Sequence, residues 1–123
     1  MRFTKVKIST DAESRLRSVR QKTGLTPNLL CRMATMLSLE EGPVGPGTKT
    51  DEGGREMNAY TLTGDHHGLI TAMLRLVEEE AEGHRLSDEE LVVRFRAHIH
   101  RGVATLAVRA KSPADVARLA AAA

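Results

Sequence analysis

The chain has 123 residues, 41% of them hydrophobic, with one cysteine and a formal net charge of +2. That length supports one domain with a real core and not two, and a lone cysteine excludes an internal disulfide framework and a zinc site of the usual Cys/His type. The only aromatic side chains are Phe3, Tyr60 and Phe95, so the core must be aliphatic, which favours packed helices, and a single-strand binder built on stacking platforms is disfavoured.

A basic strand-like segment opens the chain, from Arg2 to Ser9. Within it Thr4, Val6 and Ile8 alternate with Phe3, Lys5 and Lys7. A lone strand must pair. Pairing with the same strand of a second copy, the ribbon-helix-helix solution, would put two copies of Lys5 and Lys7 on one exposed ribbon. The plainer role is an edge strand that uses lysine to block aggregation. Thr10-Asp11-Ala12-Glu13 reads as a capping box, so a first helix is expected from about Asp11. Its apolar seam is Ala12, Leu16, Val19 and Thr23, and Arg15, Arg17, Arg20 and Lys22 fall outside it.

Gly24 suits the position just past a helix, Thr26 an N-cap and Pro27 the first position of the next helix. That second helix is expected to bury Leu29, Leu30, Met33, Met36 and Leu37, with Arg32 its only charge between Pro27 and Leu39. Apolar around most of its circumference, it is either central to the core or shared between subunits. Met33, Met36 and Cys31 are assigned to packing. Gly42 to Asn58 is rich in glycine and proline and reads as a flexible loop. Tyr60-Thr61-Leu62 reads as a short extended or turn segment.

A third helix is expected from about Asp65 to Glu82, with Leu69, Ile70, Met73, Leu74 and Val77 inward. It ends in Glu78, Glu79, Glu80 and Glu82, acids that oppose the macrodipole and so hint at a use other than stability. Ser87-Asp88-Glu89-Glu90 is a second capping box. It opens a fourth helix to about Ala110, with Leu91, Val92, Phe95, Ile99, Val103 and Leu106 inward. Ser112-Pro113 caps a short final helix, whose last alanines are expected to fray.

Charge is segregated along the chain. Residues 1–39 carry +6, residues 40–90 carry −9 and residues 91–123 carry +5. The bland reading is a set of solvated faces. The sharper one is a phosphate-facing basic surface plus an acidic face, residues 78–90, that meets a basic partner.

Catalytic signatures are not found. Gly42-Pro-Val-Gly-Pro-Gly-Thr-Lys-Thr50 approaches a phosphate loop, but Thr48 separates Gly47 from Lys49, and Pro43 and Pro46 remove cradling amides. The spacings of His66-His67 and His98-x-His100 do not put both rings on one helix face. Cys31 in an apolar helix is expected to have a raised pKa and to be inert. The chain reads as non-enzymatic, without metal or cofactor. Its charged N-terminus lacks a following apolar run and no stretch approaches a membrane span, so a soluble, cytoplasmic protein is expected.

The block Lys22-Thr23-Gly24-Leu25-Thr26-Pro27-Asn28, with Leu30-Cys31-Arg32 and Ser38-Leu39-Glu40-Glu41, resembles the DndE family of DNA sulfur-modification proteins. Lys5 to Ser9, Tyr60-Thr61-Leu62 with Gly64, and Phe95-Arg96-Ala97-His98 with Arg101-Gly102 agree with it, in the right order across residues 5–112. The loop at 42–55 and the alanine-rich tail depart from the pattern.

The resemblance implies a small helical component of bacterial phosphorothioation systems, related in part to ribbon-helix-helix proteins. It implies assembly into oligomers, with a tetramer expected, and binding to DNA with a preference for nicked duplex. It also implies partners that supply the chemistry: a cysteine desulfurase, an iron–sulfur protein and an ATPase.

The reading taken from the sequence is therefore a mainly α, single compact domain over 1–123. It has a short N-terminal basic β-strand, a ribbon-helix-helix-like N-terminal half and two to three further helices. Its candidate DNA contacts are Lys5, Lys7, Arg15, Arg17, Arg20, Lys22 and Arg32, with Arg96 and Arg101 as a possible extension of the surface or a solvated flank. The competing readings are a ribbon-helix-helix transcriptional regulator and a scaffold that meets its partner through the acidic region.

Overall fold

The computed structural model describes residues 3–121. Arg2 of the expected basic segment, and Ala122 and Ala123 of the tail, lie outside the described residues. The order is β1 (Lys5–Lys7), α1 (Thr10–Thr23), α2 (Pro27–Glu41), β2 (Glu56–Asn58), α3 (Ala59–Thr63), a 3-10 turn (Gly64–His66), α4 (His67–Glu82), α5 (Asp88–Arg109) and α6 (Pro113–Ala121). This is the mainly helical domain expected, with strand, helix, turn and helix in that order at its start.

β1 has a partner within the chain. β2 pairs with it antiparallel, Lys5 opposite Asn58, Val6 opposite Met57 and Lys7 opposite Glu56. Composition had assigned 56–58 to the loop, because one apolar residue between two polar ones is too short an alternation to stand out beside Gly53 and Gly54. Val6 and Met57 turn into the core while Lys5, Lys7, Glu56 and Asn58 face water. Phe3 is not a solvent-facing residue of the strand: its ring meets Phe95 edge-on at 5.6 Å.

The start of α1 also differs by one residue. Ser9, not Thr10, is the N-cap, its Oγ accepting from the Ala12 amide at 3.0 Å. Ile8, directly after the strand, is buried, and the chain turns at once into the helix. Glu13, expected to close the capping box, turns instead to Arg55. The seam Ala12, Leu16, Val19 and Thr23 is buried as expected. Gly24 adopts φ 76°, and its amide donates to the Arg20 carbonyl at 2.8 Å. Thr26 caps α2.

α5 is the central element. At about 1.5 Å per residue its 22 residues span about 33 Å, and α2 packs along it more extensively than any other helix does. Gly102 makes this possible, since a Cβ there would collide with the Ala34 carbonyl. The face of α2 turned to α5 is Leu30, Cys31, Ala34, Thr35, Ser38 and Leu39. Of the five residues expected inward, only one is fully buried. Leu30 is buried, whereas Leu29 is exposed and Met33, Met36 and Leu37 are half-buried on the opposite side. Hydrophobicity alone ranked Leu and Met above the small residues that a close helix crossing selects.

Leu69, expected inward, is exposed, while Ile70 and Leu74 are buried. The segment Tyr60-Thr61-Leu62 forms helix α3, not an extended turn. Asn58 caps it by accepting from the Tyr60 and Thr61 amides.

Candidate nucleic-acid interface

Six exposed basic residues, Lys5, Lys7, Arg15, Arg17, Arg20 and Lys22, cluster on β1 and the outer face of α1, while Lys49, Arg85, Arg109, Lys111 and Arg118 are exposed elsewhere. Lys5 is 3.4 Å from Glu56. Arg15 and Arg17 make same-helix pairs one turn back, with Asp11 at 2.9 Å and Glu13 at 3.3 Å. Such exposed pairs contribute only about 0.3–0.5 kcal/mol each, so a phosphate can displace them at little cost. Lys7, Arg20 and Lys22 are exposed and have no carboxylate partner among the described residues.

Arg17, Arg20 and Gln21 share an open cavity of about 440 Å³ with Arg55. Arg55 was not singled out from the sequence because it lay in the segment judged by its glycines. It reaches this face because its carbonyl and Gly54 continue the ladder beside Ile8. Its guanidinium then grips Glu13 at 2.8 and 3.2 Å. Burial alone would raise the Glu13 pKa, but Arg55 and Arg17 outweigh it and hold the carboxyl below its ordinary value.

In the second basic region the arginines in the body of α5 turn inward, while Arg109, Lys111 and Arg118 stay exposed. Arg94 is buried, at 2.7 Å from Glu78 and 2.6 Å from Glu82. Arg96 donates to the Lys7 carbonyl at 2.6 Å and reaches Glu52 at 3.2 Å. Arg101 donates to Ser38 Oγ at 2.8 Å and to the Ser38 and Gly42 carbonyls at 2.6 Å. Neither Arg96 nor Arg101 is a surface extension or a solvated flank. Their partners, backbone carbonyls together with Glu52 for Arg96 and Ser38 Oγ and Glu41 for Arg101, are brought in by distant segments, which no sequence spacing announces.

Part of the acidic face turns inward as well, while Glu80, Asp88, Glu89 and Glu90 stay exposed. Glu78 is fully buried and accepts from Arg94, from His98 Nε2 at 2.8 Å and from the Val44 and Gly45 amides at 3.0 and 3.2 Å. Burial would raise its pKa, but these donors hold it below the ordinary carboxylate value. Glu79 accepts from Arg75 and from the Leu86 amide. The acids at the end of α4 thus knit α4, α5 and the 42–50 segment together, and of the four only Glu80 is exposed. Exposed Asp51 pins the same long segment at its other end. Hydrogen bonds from Thr10 and the Gly53 amide hold its pKa down to about 2.

Ser38, His98 and Glu78 line up as hydroxyl, imidazole and carboxylate, with Ser38 Oγ 2.8 Å from His98 Nδ1. Arg101 donates onto the hydroxyl, which leaves the Ser38 proton for Nδ1 and the imidazole proton on Nε2, facing Glu78. All three residues are fully buried, and the line acts as a core network. Cys31 is likewise enclosed, and burial pushes its thiol up to about 12, far from nucleophilic. Among the described residues no three His, Cys, Asp or Glu side chains are placed to hold a metal ion, and no helix is long and apolar enough to cross a membrane.

Arg32 is half-buried. It donates from Nε to the Leu62 carbonyl at 2.7 Å and from Nη2 to the Thr61 carbonyl at 2.8 Å, closing the C-terminal end of α3. It does not join the α1 face. It lines two neighbouring concavities instead. One is polar, with Asn28, Tyr60, Thr61, Gly64, Asp65 and His66. The other is an apolar groove between α2 and α6, formed by Met33, Met36, Leu37, Val116 and Leu119.

Together these features define a small helical domain with a two-stranded ribbon, a stiff internally charged centre and one face of exposed cations. The chain belongs to the DndE family: residues 5–114 match the model for the DNA sulphur modification protein DndE. Among solved structures it is similar to DndE from Escherichia coli B7A, described as involved in DNA phosphorothioation modification. The TM-score is 0.75 at 24% identity, covering 86% of this chain and 98% of that one. It is also similar to a DndE variant, involved in DNA phosphorothioation, in which two glycines are changed to lysine. There the TM-score is 0.67 at 23% identity, over 85% of this chain and 97% of that one. No curated protein matches.

Proposed function

We propose that this protein is a non-catalytic DNA-binding component of a bacterial phosphorothioate modification system. It engages duplex DNA, nicked duplex in preference, through the α1 face and the ribbon. The observation that carries this reading is the set of exposed cations without carboxylate partners, Lys7, Arg20 and Lys22, beside the cavity where Arg17, Arg20 and Arg55 converge. Phosphate contacts of this kind position a protein without reading sequence. A nicked duplex bends at lower cost than an intact one, so a shape preference needs no base contact.

In this reading the partners are those that supply the sulfur chemistry: a cysteine desulfurase, an iron–sulfur protein and an ATPase. The open groove of Met33, Met36, Leu37, Val116 and Leu119 suits a second copy. A homo-oligomer, a tetramer in the expectation above, would repeat the α1 face several times. A regulator of the ribbon-helix-helix type fits less well, because β1 already has its partner within the chain. The acidic scaffold loses ground because Glu78, Glu79 and Glu82 are engaged internally.

The test is a gel-shift titration of intact, singly nicked and single-stranded DNA at low and physiological salt. Wild type is run beside a variant carrying Lys7→Ala, Arg17→Ala, Arg20→Ala and Lys22→Ala. Nick-preferring binding that the variant loses is the expected result. Each phosphate contact removed should flatten the log–log salt dependence by about 0.9. No binding of wild type to any duplex at low salt would overturn the proposal.

A further inference from the structure

Tyr60 is 74% exposed, and among the described aromatic residues it alone has its ring in solvent. Phe95 is buried, and Phe3 is packed between Phe95 and His67. One exposed ring is ordinary by itself; what sets Tyr60 apart is its setting. This one sits at the first turn of α3, and it rims the polar concavity of about 400 Å³ shared by Asn28, Arg32, Asp65 and His66.

The lining divides by chemistry. Arg32 presents a guanidinium whose Nε and Nη2 are fixed by the Leu62 and Thr61 carbonyls. The position of the cation is therefore set before any ligand arrives. Gly64 keeps the approach open, because a Cβ there would stand 2.8 Å from Arg32 Nη2. The Asn28 amide both donates and accepts, and Asp65 only accepts. A planar ring, a fixed cation and a donor–acceptor pair in one small concavity match the parts of a nucleotide. The ring takes the base face, the guanidinium takes the phosphate, and the amide and carboxylate take the base edge.

The concavity also follows the ribbon along the chain. β2 runs from the Arg55 end of the ribbon to Asn58, two residues before Tyr60. At about 3.3 Å per residue, the exposed Lys7 and Lys5 lie between the arginine cavity and the Tyr60 concavity.

We propose that the Tyr60–Arg32 concavity binds one unpaired nucleotide of an otherwise duplex DNA, with the base stacked on Tyr60 and its phosphate at Arg32. One ring takes one base, which distinguishes this from binding to a single-stranded tract. The inference deepens the duplex-binding reading and rests on it, and it adds a contact that duplex alone does not make.

The chain has one tyrosine and no tryptophan, so intrinsic fluorescence reports on Tyr60 alone. The experiment compares a fully paired duplex with the same duplex carrying one extra unpaired adenine. It reads tyrosine emission, corrected for nucleotide absorption, and affinity. Wild type should bind the bulged duplex about tenfold more tightly, the scale of one stacked base, and its emission should be quenched by that duplex only. Tyr60→Ala should lose the preference and Tyr60→Phe should keep it, with circular dichroism verifying the fold of both. The variant with four alanines on β1 and α1 should weaken both duplexes and leave their ratio unchanged.

Equal binding of the two duplexes by wild type, or a preference that survives Tyr60→Ala, overturns the inference. If neither duplex binds, the duplex reading has failed, and deoxyadenosine monophosphate then tests the concavity by itself. Quenching by that nucleotide upholds the site, and no quenching removes it too.

Discussion

Arg17 and Arg20 on α1, and Arg94 and Arg96 on α5, are the same residue type, closely spaced on helices of one chain. Their surroundings give them opposite roles. Arg17 has a 70% exposed side chain and one loose partner, and Arg20 has no partner among the described residues. Arg94 has a 6% exposed side chain held by two carboxylates, and Arg96 at 9% is held by a carbonyl and Glu52. A cation that stays hydrated can be offered to phosphate. One that has been desolvated must be satisfied within the fold, and moving it would leave a carboxylate stranded. Basic stretches in a sequence therefore divide by what they face, and only the first kind makes a binding surface.

The contrast is broken most severely at its buried end. Glu78→Ala leaves Arg94 without one of its two partners and frees His98 Nε2 and the Val44 and Gly45 amides. Removing one member of a buried pair costs about 3–5 kcal/mol, so urea denaturation should show a loss of that order. Replacing both members together, Glu78→Leu with Arg94→Met, should cost clearly less than the single change. A double variant as unstable as Glu78→Ala would show that the pair acts through the 42–50 segment and not through its charges.

Next in size is the crossing of α2 and α5 that positions this network. Gly102→Ala drives a methyl group into the Ala34 carbonyl, and overpacking of this kind costs about 1–3 kcal/mol. Thermal melts should show the loss, with DNA affinity at permissive temperature unchanged, because α1 carries the surface and does not depend on this contact.

These cases show what the sequence made legible. The seam of α1, the Gly24 turn, the Thr26 and Ser87 caps and the helical extents were readable because each is written in residues a few positions apart. The exposed cations Arg15, Arg17, Arg20 and Lys22 followed from that seam, and Lys5 and Lys7 from the alternation of the strand. Glu78, Arg96 and Arg101 were misjudged, because a charged residue turns inward only when a distant segment supplies its partner. Those segments, 42–45 and 52, lay in a stretch whose composition says loop and no more. Arg55 was missed for the same reason. Tyr60 was seen and left unused, since its exposure depends on α3 forming where an extended segment was expected.

A smaller effect separates the two regions by pH. Burial lowers the His98 pKa from its ordinary 6.5, opposed by Glu78 and reinforced by Arg101 and Arg94. The folded protein therefore keeps His98 neutral where the unfolded chain has begun to protonate it. The unfolded state binds more protons, so stability falls as pH drops below 6.5 towards the lowered folded value. Glu78 adds a further loss below its ordinary 4.5, since its folded pKa is depressed. Denaturation midpoints should therefore decline between about pH 7.5 and about pH 5.5, and His98→Gln should flatten that decline. An unchanged slope in His98→Gln would show that His98 does not set the dependence.

The smallest effect on stability belongs to the exposed end, and it decides whether the contrast holds. Arg20→Ala and Lys22→Ala remove side chains that touch no carboxylate among the described residues, so each should change stability by less than about 0.5 kcal/mol. Their effect on duplex binding should be larger than that, and should shrink as salt is raised, because counterion release is the term they supply. A residue that contributes little to folding yet controls a salt-dependent affinity is one whose charge is held in reserve for a ligand. If Arg20→Ala instead destabilised the fold by several kcal/mol, α1 would be a second structural region like α5, and the face would lose its claim to be an interface. Arg55 sits between the two cases. It lines the arginine cavity and also grips Glu13, so Arg55→Ala should lower stability and affinity together, and Arg20→Ala affinity alone.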